Sequence, residues 1–460
     1  MYVSLHNHTA IGSNTRGFLD SINTVEKMVA YAKELNHTGL CITDHDSLTA
    51  HIDLLHHIKS LREKDPEKWK DFKPICGNEI YLTSKKNILE DKDYSKLYHF
   101  ILIAKDEIGY DQLRKLSTRA WCDNSFTFVN IRTPTYFDDL IEVVRDEKGH
   151  LIGQTACLRG QCDRMIVEAY NLDQENPDYS LVEKWLRAMD KLFGHGNFFL
   201  EMQPSNQEAQ ILVNKVILEL SSKLDIPYVI TTDAHYLKKE DREIHEAFLK
   251  SDDNGDSREV GEFYNTTYMM SEEEIHSYMD EYLTPEQVQV GIDNTQLVYN
   301  LCEEYSLDKP LVIPYKAFDT TEPSPELYAK YKDKVPLLEY FYNSEHDSNR
   351  HMCREILNKF EERPEEFQNQ KTYDALKDCL NAIIVSSKAQ NTEWAGYLLV
   401  CKELIKTVWE AGSLCGVGRG SGGGFFLLYM LEIIGFNPLR EEVKTFYWRF
   451  LHEKRASVLD

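Results

Sequence analysis

The chain has 460 residues, with 52 Lys+Arg against 76 Asp+Glu and a formal net charge of −24. That length suits two to four domains of roughly 100–200 residues, each able to bury a core, and 28% charged with 42% hydrophobic residues excludes a disordered or fibrous chain. No run nears the roughly 20 apolar residues of a membrane helix, and the start MYVSLHNHTAIG lacks the basic and apolar regions of a secretory signal. Ten cysteines without a CxxC pair suit free thiols in a reducing cytoplasm, and the acidic overall field argues against attraction to nucleic acid.

In chain order, β-rich runs alternate with helical patterns up to about residue 250. Strands are predicted at residues 2–5, 40–43, 74–82, 99–104, 150–154, 198–202 and 228–231. Between the first two, Ile22, Val25, Met28, Val29, Ala32 and Leu35 fall at helical spacing, with Gly39 as a stop. Val213, Val216, Ile217 and Leu220 mark another helix before the last strand. Seven strands separated by helices predict a parallel α/β fold, either a barrel or a doubly wound sheet. After the polar segment SDDNGDSREVGE the pattern becomes mainly helical, so the domain boundary is expected near residue 270. A helix over 395–411 then leads into GSLCGVGRGSGGG and a further apolar helix.

Polar residues cluster at the predicted strand ends. His6 and His8 end the first strand, His45 the second, Glu79 lies in GNEIYL, His99 opens YHFILIA, Cys157 follows LIGQTA, and Asp233 and His235 end VITTDAH. Strand ends of an α/β barrel converge on one face, and side chains two apart on an extended chain share a side. Imidazole, carboxylate and one thiolate together suit Zn, Mn or Fe rather than Ca. Taken singly, Asp233 could cap a turn, Glu79 could pair with a lysine, and Cys157 could fill a core. Their concurrence in one domain favours a metal centre.

LHNHT, ITDH, GNEIYL, YHFILIAKDEIGY and TTDAHYL resemble the polymerase-and-histidinol-phosphatase (PHP) domain, and more narrowly the one that opens the alpha subunit of bacterial C-family replicative polymerases, DNA polymerase III. The resemblance implies a distorted seven-stranded α/β barrel holding three divalent metals on His6, His8, Asp20, His45, Glu79, His99, Cys157, Asp233 and His235. Asp20 stands further from His8 than the family pattern has it, through the residues SNTR; Asn14 is the alternative and a poor metal ligand. Clustered cations activate water for attack on phosphorus, so the resemblance implies a metal-dependent 3′–5′ exonuclease that proofreads.

GVGRGSGGG is by itself a weak signal: a flexible loop entering a helix, able to seat a phosphate but fitting neither GxxxxGK[ST] nor GxGxxG in a βαβ unit. With its flanks, GYLLVCKELIKTVWEAG, FNPLR and FYWRFLHEKRASVLD, it resembles the start of the C-family palm. That implies deoxynucleoside triphosphate contacts from Gly418, Arg419, Gly420 and Ser421, and Asp460 as the first of three catalytic aspartates that hold Mg. His-Glu-Lys and Leu459 depart from the family's usual residues there. Residues 401–460 carry a net +1 and the remainder −25, so Arg419, Arg449, Lys454 and Arg455 lie in the segment best able to meet phosphate.

The expected protein is therefore the N-terminal part of a replicative polymerase: a mainly helical, incomplete palm over 271–460 follows a PHP exonuclease over 1–270. Its partners would be primer-template DNA and dNTP, a second chain carrying the rest of palm, thumb and fingers, and a replisome clamp reached through that chain. A chain ending at Asp460 is expected of a split gene, an intein-joined half or a truncation, and a phage would suit the divergence. The alternatives are a stand-alone phosphoesterase for small phosphate esters, or a metal-stabilised scaffold without catalysis.

Overall fold

The computed structural model describes residues 1–14, 19–123, 132–251, 261–309, 322–440 and 445–452, in two compact units, Met1–Asp308 and Lys309–Asp460. The first unit is built on eight strands: β1 (Val3–Ser4), β2 (Gly39–Ile42), β3 (Lys73–Thr83), β4 (Tyr98–Ala104), β5 (Pro134–Tyr136), β6 (Leu151–Gln154), β7 (Phe198–Met202) and β8 (Tyr228–Ile230). Seven follow the path β1-β2-β3-β4-β6-β7-β8, and β5 pairs with β3 off that path. The sheet curls until its ends meet: Asn7 bridges Ala234, with hydrogen bonds from His8 N to Ala234 O (3.0 Å) and from Ala234 N to His6 O (3.1 Å).

The seven expected strands are all present, and the short β5 is additional. The direction of one strand differs from a purely parallel sheet. β4 runs antiparallel to both β3 and β6, whereas the other pairs are parallel. A sequence pattern fixes where a strand lies but carries no information about its direction. The consequence is functional: the N-terminal end of β4, where His99 sits, lies at the same end of the barrel as the C-terminal ends of its neighbours.

The first long helix is Val25–Glu34, capped by Thr24, whose hydroxyl accepts from Lys27 N. Val25, Met28, Val29 and Ala32 form its buried face, as a 3.6-residue period requires. Gly39 does not stop this helix: the chain turns at Asn36 (φ 61°), and Gly39 opens β2.

The first unit continues past residue 270 through helices Glu272–Met279, Pro285–Asp293 and Thr295–Leu301. They close the barrel from outside. Ile275, Met279, Val288 and Ile292 join the core cluster of the strands, and Thr295 Oγ1 accepts from Val3 N at 3.1 Å. Gly291 lets its helix approach β8, since a Cβ there would lie 2.7 Å from the Ile230 side chain.

The second unit is mainly helical. Asp347–Glu362, Gln370–Gln390 and Trp394–Glu410 surround a core that includes Phe341, Met352, Ile356, Phe360, Leu380, Leu398 and Phe426. No described helix is long and apolar enough to cross a membrane.

Ile275, Met279, Val288, Ile292 and Val298 are fully buried. At ~1.5–3 kcal/mol for each such side chain, their loss rivals the ~5–15 kcal/mol net stability of a typical domain. A fragment of residues 1–308 should therefore melt cooperatively, while residues 1–270 should give no cooperative transition by circular dichroism; equal melting temperatures would refute this role for the three helices.

Candidate metal centre

His6, His8, Asp20, His45, Glu79, His99, Cys157, Asp233 and His235 lie together inside the mouth of the barrel, none more than 6% exposed. Three overlapping groups bring one potential ligand atom per residue within 4.8 Å of the others: His8, Asp20, His45 and His235; His6, His8 and Glu79; His45, Glu79 and His99. Asp233 Oδ1 joins them, 2.9 Å from His8 Nε2 and 3.1 Å from His6 Nε2. Cys157 Sγ stands 3.5 Å from His99 Nδ1.

Three turns aim these side chains, and each holds one non-glycine residue in the left-handed region: Asp46 (φ 53°) beside His45, Ala156 (φ 65°) beside Cys157, and Asp233 itself (φ 46°). Such backbone is costly and collects at functional sites. Asp233 and His235 thus meet through a kink and not through strand alternation. Asp20 is held from both sides. Asn14 Oδ1 accepts from Asp20 N (2.7 Å) and Ser21 N (3.0 Å), and buried His245 bonds through Nε2 to Asp20 O (2.6 Å). Asn14 therefore acts as a clasp for the longer loop, leaving the carboxylate of Asp20 to face His45 (3.2 Å) and His235 (3.4 Å).

Hydrogen bonds behind the cluster fix which nitrogens face inward. His6 Nδ1 donates to Glu201 Oε1 at 2.7 Å, and its Nε2 faces Asp233 and His8. Although burial opposes it, Asp233, Glu201 and Glu79 raise this ring well above the ordinary histidine range, so Nε2 keeps a proton that a cation would replace. The Ser13 hydroxyl donates to Asp44 Oδ1 (2.8 Å), so its oxygen accepts from His8 Nδ1 (3.0 Å) and leaves His8 Nε2 bare. His235 Nδ1 donates to Asp233 O (2.7 Å). His6 Nε2, His8 Nε2 and Asp233 Oδ1 then converge, 2.9–3.1 Å apart. The buried oxygens Asp20 Oδ2, Glu79 Oε1 and Oε2, and Asp233 Oδ1 are approached by imidazole nitrogens at 2.7–3.2 Å, so only protonated rings or a cation can balance them. Unsatisfied buried charge is tolerated only with a counter-charge, and this donor set of imidazole, carboxylate and thiol fits divalent transition metals.

The electrostatics agree. Burial opposes ionisation of Glu79, yet His99, His45 and His6 hold its carboxyl well below the usual range. Burial likewise opposes charge on Asp20 and Asp233, and the surrounding histidines win at both. Burial works against His45, but Glu79 and Asp20 raise it to about 9; burial, with His45 and His235, lowers His8 to about 3. Burial pushes the Cys157 thiol up.

Several contributors carry no strand-end signature. Glu201, fully buried in β7, accepts from His6, Thr231 (2.5 Å), Gln203 (2.8 Å) and Gln154. An acid inside the apolar run FFLEM was its only mark in the sequence. Tyr81 bonds to His45 Nδ1 at 3.1 Å, and Ser13 and Asp44 orient His8.

In the second unit, Gly420 and Ser421 line a cleft of about 490 Å³ together with Phe436, Asn437, Arg440, Phe446 and Arg449. Arg419 is exposed and does not line it, and Gly418 (φ 116°) turns the chain against Ile434. The apolar helix after the glycines is only Phe426–Met430, too short for its end to seat an anion, so Arg440 and Arg449 supply the positive charge of the cleft. Asp460, Lys454 and Arg455 lie outside the described residues.

Residues 4–205 match the PHP domain family, and residues 350–460 match the family described as bacterial DNA polymerase III alpha NTPase domain. The DNA-directed DNA polymerase of Bacillus phage SPbeta is 31% identical over the whole chain, which covers 36% of that relative. The DNA polymerase III subunit alpha of Campylobacter jejuni is 26% identical, again over the whole chain and 35% of the relative. The chain thus spans about a third of the length of the curated relatives it matches. Among solved structures, an amidohydrolase from Chromobacterium violaceum is 12% identical with a TM-score of 0.32, over 51% of this chain and 88% of that one.

Protons and cations compete for the same lone pairs here. His45 holds its proton up to about pH 9 against an ordinary 6.5, so cation binding should release protons and tighten as pH rises between those values. Calorimetric titration of Mn²⁺ in buffers of differing ionisation heat checks this; uptake without proton release near pH 6.5 would contradict it. Glu201→Gln should weaken cation binding by ~10–100-fold, as loss of a carboxylate behind a ligating histidine does.

Proposed function

We propose, for a chain that carries a PHP domain at residues 4–205 and is related along its whole length to DNA polymerase III alpha subunits, that the barrel hydrolyses phosphodiester bonds at the 3′ ends of DNA as a metal-dependent 3′–5′ exonuclease in replication. The observation that carries this reading is the convergence of His6, His8, Asp20, His45, Glu79, His99, Cys157, Asp233 and His235, in which buried carboxylate oxygens face imidazole nitrogens at 2.7–3.2 Å. These nine side chains would hold Zn, Mn or Fe, three ions in the reading that the overlapping groups favour. When bound, such ions supply Lewis-acid activation of water and neutralise phosphoryl oxygens. The protein's own part is preorganisation. Glu201 and Ser13 keep His6 and His8 in one tautomer, Asn14 and His245 keep Asp20 facing His45 and His235, and Tyr81 holds His45.

In the second unit, the cleft at Gly420 and Ser421 supports binding of a nucleoside triphosphate, with Arg440 and Arg449 meeting phosphate oxygens. DNA polymerisation, with Asp460 as one Mg-holding carboxylate, belongs in this reading to the complete enzyme, whose relatives are about three times longer than the matched region. Thumb, fingers, the rest of the palm and any clamp contact would belong to parts beyond the matched region, on this chain or a second one.

One observation favours a second reading, a metal-stabilised scaffold without catalysis: the cluster is nearly closed to solvent, with His6, His8 and Glu79 fully buried. The two readings separate in one experiment. With Mn²⁺ or Zn²⁺, the full chain should shorten a 5′-labelled single strand from its 3′ end, faster than it hydrolyses a small phosphate monoester. Asp233→Asn should cut that rate by at least about a hundredfold, since cation-held stabilisation is worth several kcal/mol. If no strand shortens with either ion while a chelator lowers the melting temperature, the scaffold reading replaces the nuclease.

A further inference from the structure

Two arginines, Arg159 and Arg132, stand beside the cluster at the mouth of the barrel, where both feel the charge of Asp20 and Tyr81. Arg159 lies two residues after Cys157. Its carbonyl accepts from His99 N at 3.2 Å, and Gly160 bridges His99, so its backbone is fixed against the cluster. The Arg159 side chain is exposed and makes no ion pair among the described residues, and its charge is felt by Tyr264, Cys157, Tyr81 and Asp20. Arg132 comes from the segment before β5. Its guanidinium lies 5.4 Å over the ring of Tyr81 and donates to Ser13 O at 3.4 Å. The neighbouring Thr133 N holds Asp46 Oδ2 at 2.9 Å, next to His45.

Beside them is an aromatic edge. The half-buried ring of Tyr264 stands 5.4 Å from that of His235 at 83°, and Phe263 packs edge-on against Tyr264 at 5.3 Å. Tyr236 OH pins the backbone of this turn by donating to Tyr264 O at 2.6 Å. A guanidinium presents a planar fork of donors that matches phosphate oxygens, and an aromatic face accepts any nucleobase. A small monoester offers one phosphate, which the cluster itself would hold. Only a polynucleotide brings further phosphates and a base to the mouth.

We propose that Arg159 and Arg132 hold the phosphates flanking the reacting one, and that Tyr264 stacks the terminal base, so that this rim selects a single-stranded 3′ end over a small phosphate ester. The proposal rests on the reading of the cluster as a phosphodiesterase. It adds the residues that choose the substrate.

The test uses the full chain and a fluorescein-labelled oligothymidine, read by anisotropy against salt in chelator, so that binding is seen apart from cleavage. Arg159→Ala and Arg132→Ala should each flatten the plot of log affinity against log salt by about 0.7, the share of one single-strand phosphate contact. Tyr264→Ala should weaken binding at least about fivefold without changing that slope, and Tyr264→Phe should restore it. An Arg419→Ala change in the second unit should act independently of all three. Unchanged slopes for both arginine variants overturn the proposal. If binding behaves as expected but the wild type cleaves nothing with Mn²⁺ or Zn²⁺, the rim stands and the nuclease reading falls. If cleavage proceeds with the same KM in the arginine and Tyr264→Ala variants, the nuclease stands and the rim falls.

Discussion

Buried lone pairs that face one another need positive charge between them, and the first unit is organised around that constraint. Asp20, Glu79 and Asp233 bring carboxylate oxygens to within 2.7–3.6 Å of imidazole nitrogens, all of them buried. Left uncompensated, each buried charge would cost several kcal/mol. Protons or divalent ions can compensate it, and hydrogen bonds from the outer sides of His6, His8 and His235 turn the inward nitrogens toward those oxygens.

Holding so many polar groups together requires a frame that does not yield. The curled sheet supplies it, closed by the bridge between Asn7 and Ala234 and covered by helices whose apolar faces are fully buried. Strain gathers where the frame meets the cluster, at Asp46, Ala156 and Asp233. The reversal of β4 delivers His99 to the site from the start of a strand, so a ligand position that looks out of order in sequence falls into place in space.

The second unit solves a different problem with different means. Its helical core presents a glycine-rich turn beside Phe436, Phe446, Arg440 and Arg449. The last 60 residues are near neutral in charge, against −25 elsewhere.

The sequence by itself marked the strand positions and put His6, His8, His45, Glu79, His99, Cys157, Asp233 and His235 at or near strand ends, because apolar runs of four to nine residues and the polar groups beside them are local marks, whereas Asp20 came only with the family resemblance. It could not yield Glu201, Tyr81 or the Ser13–Asp44 pair, whose roles depend on what packs against them from far along the chain. Nor could it yield the direction of β4, the kink at Asp233, or the extension of the first unit to Asp308. Strand direction, tautomer and unit boundary are set by contacts between residues distant in sequence, and only the folded chain makes those contacts.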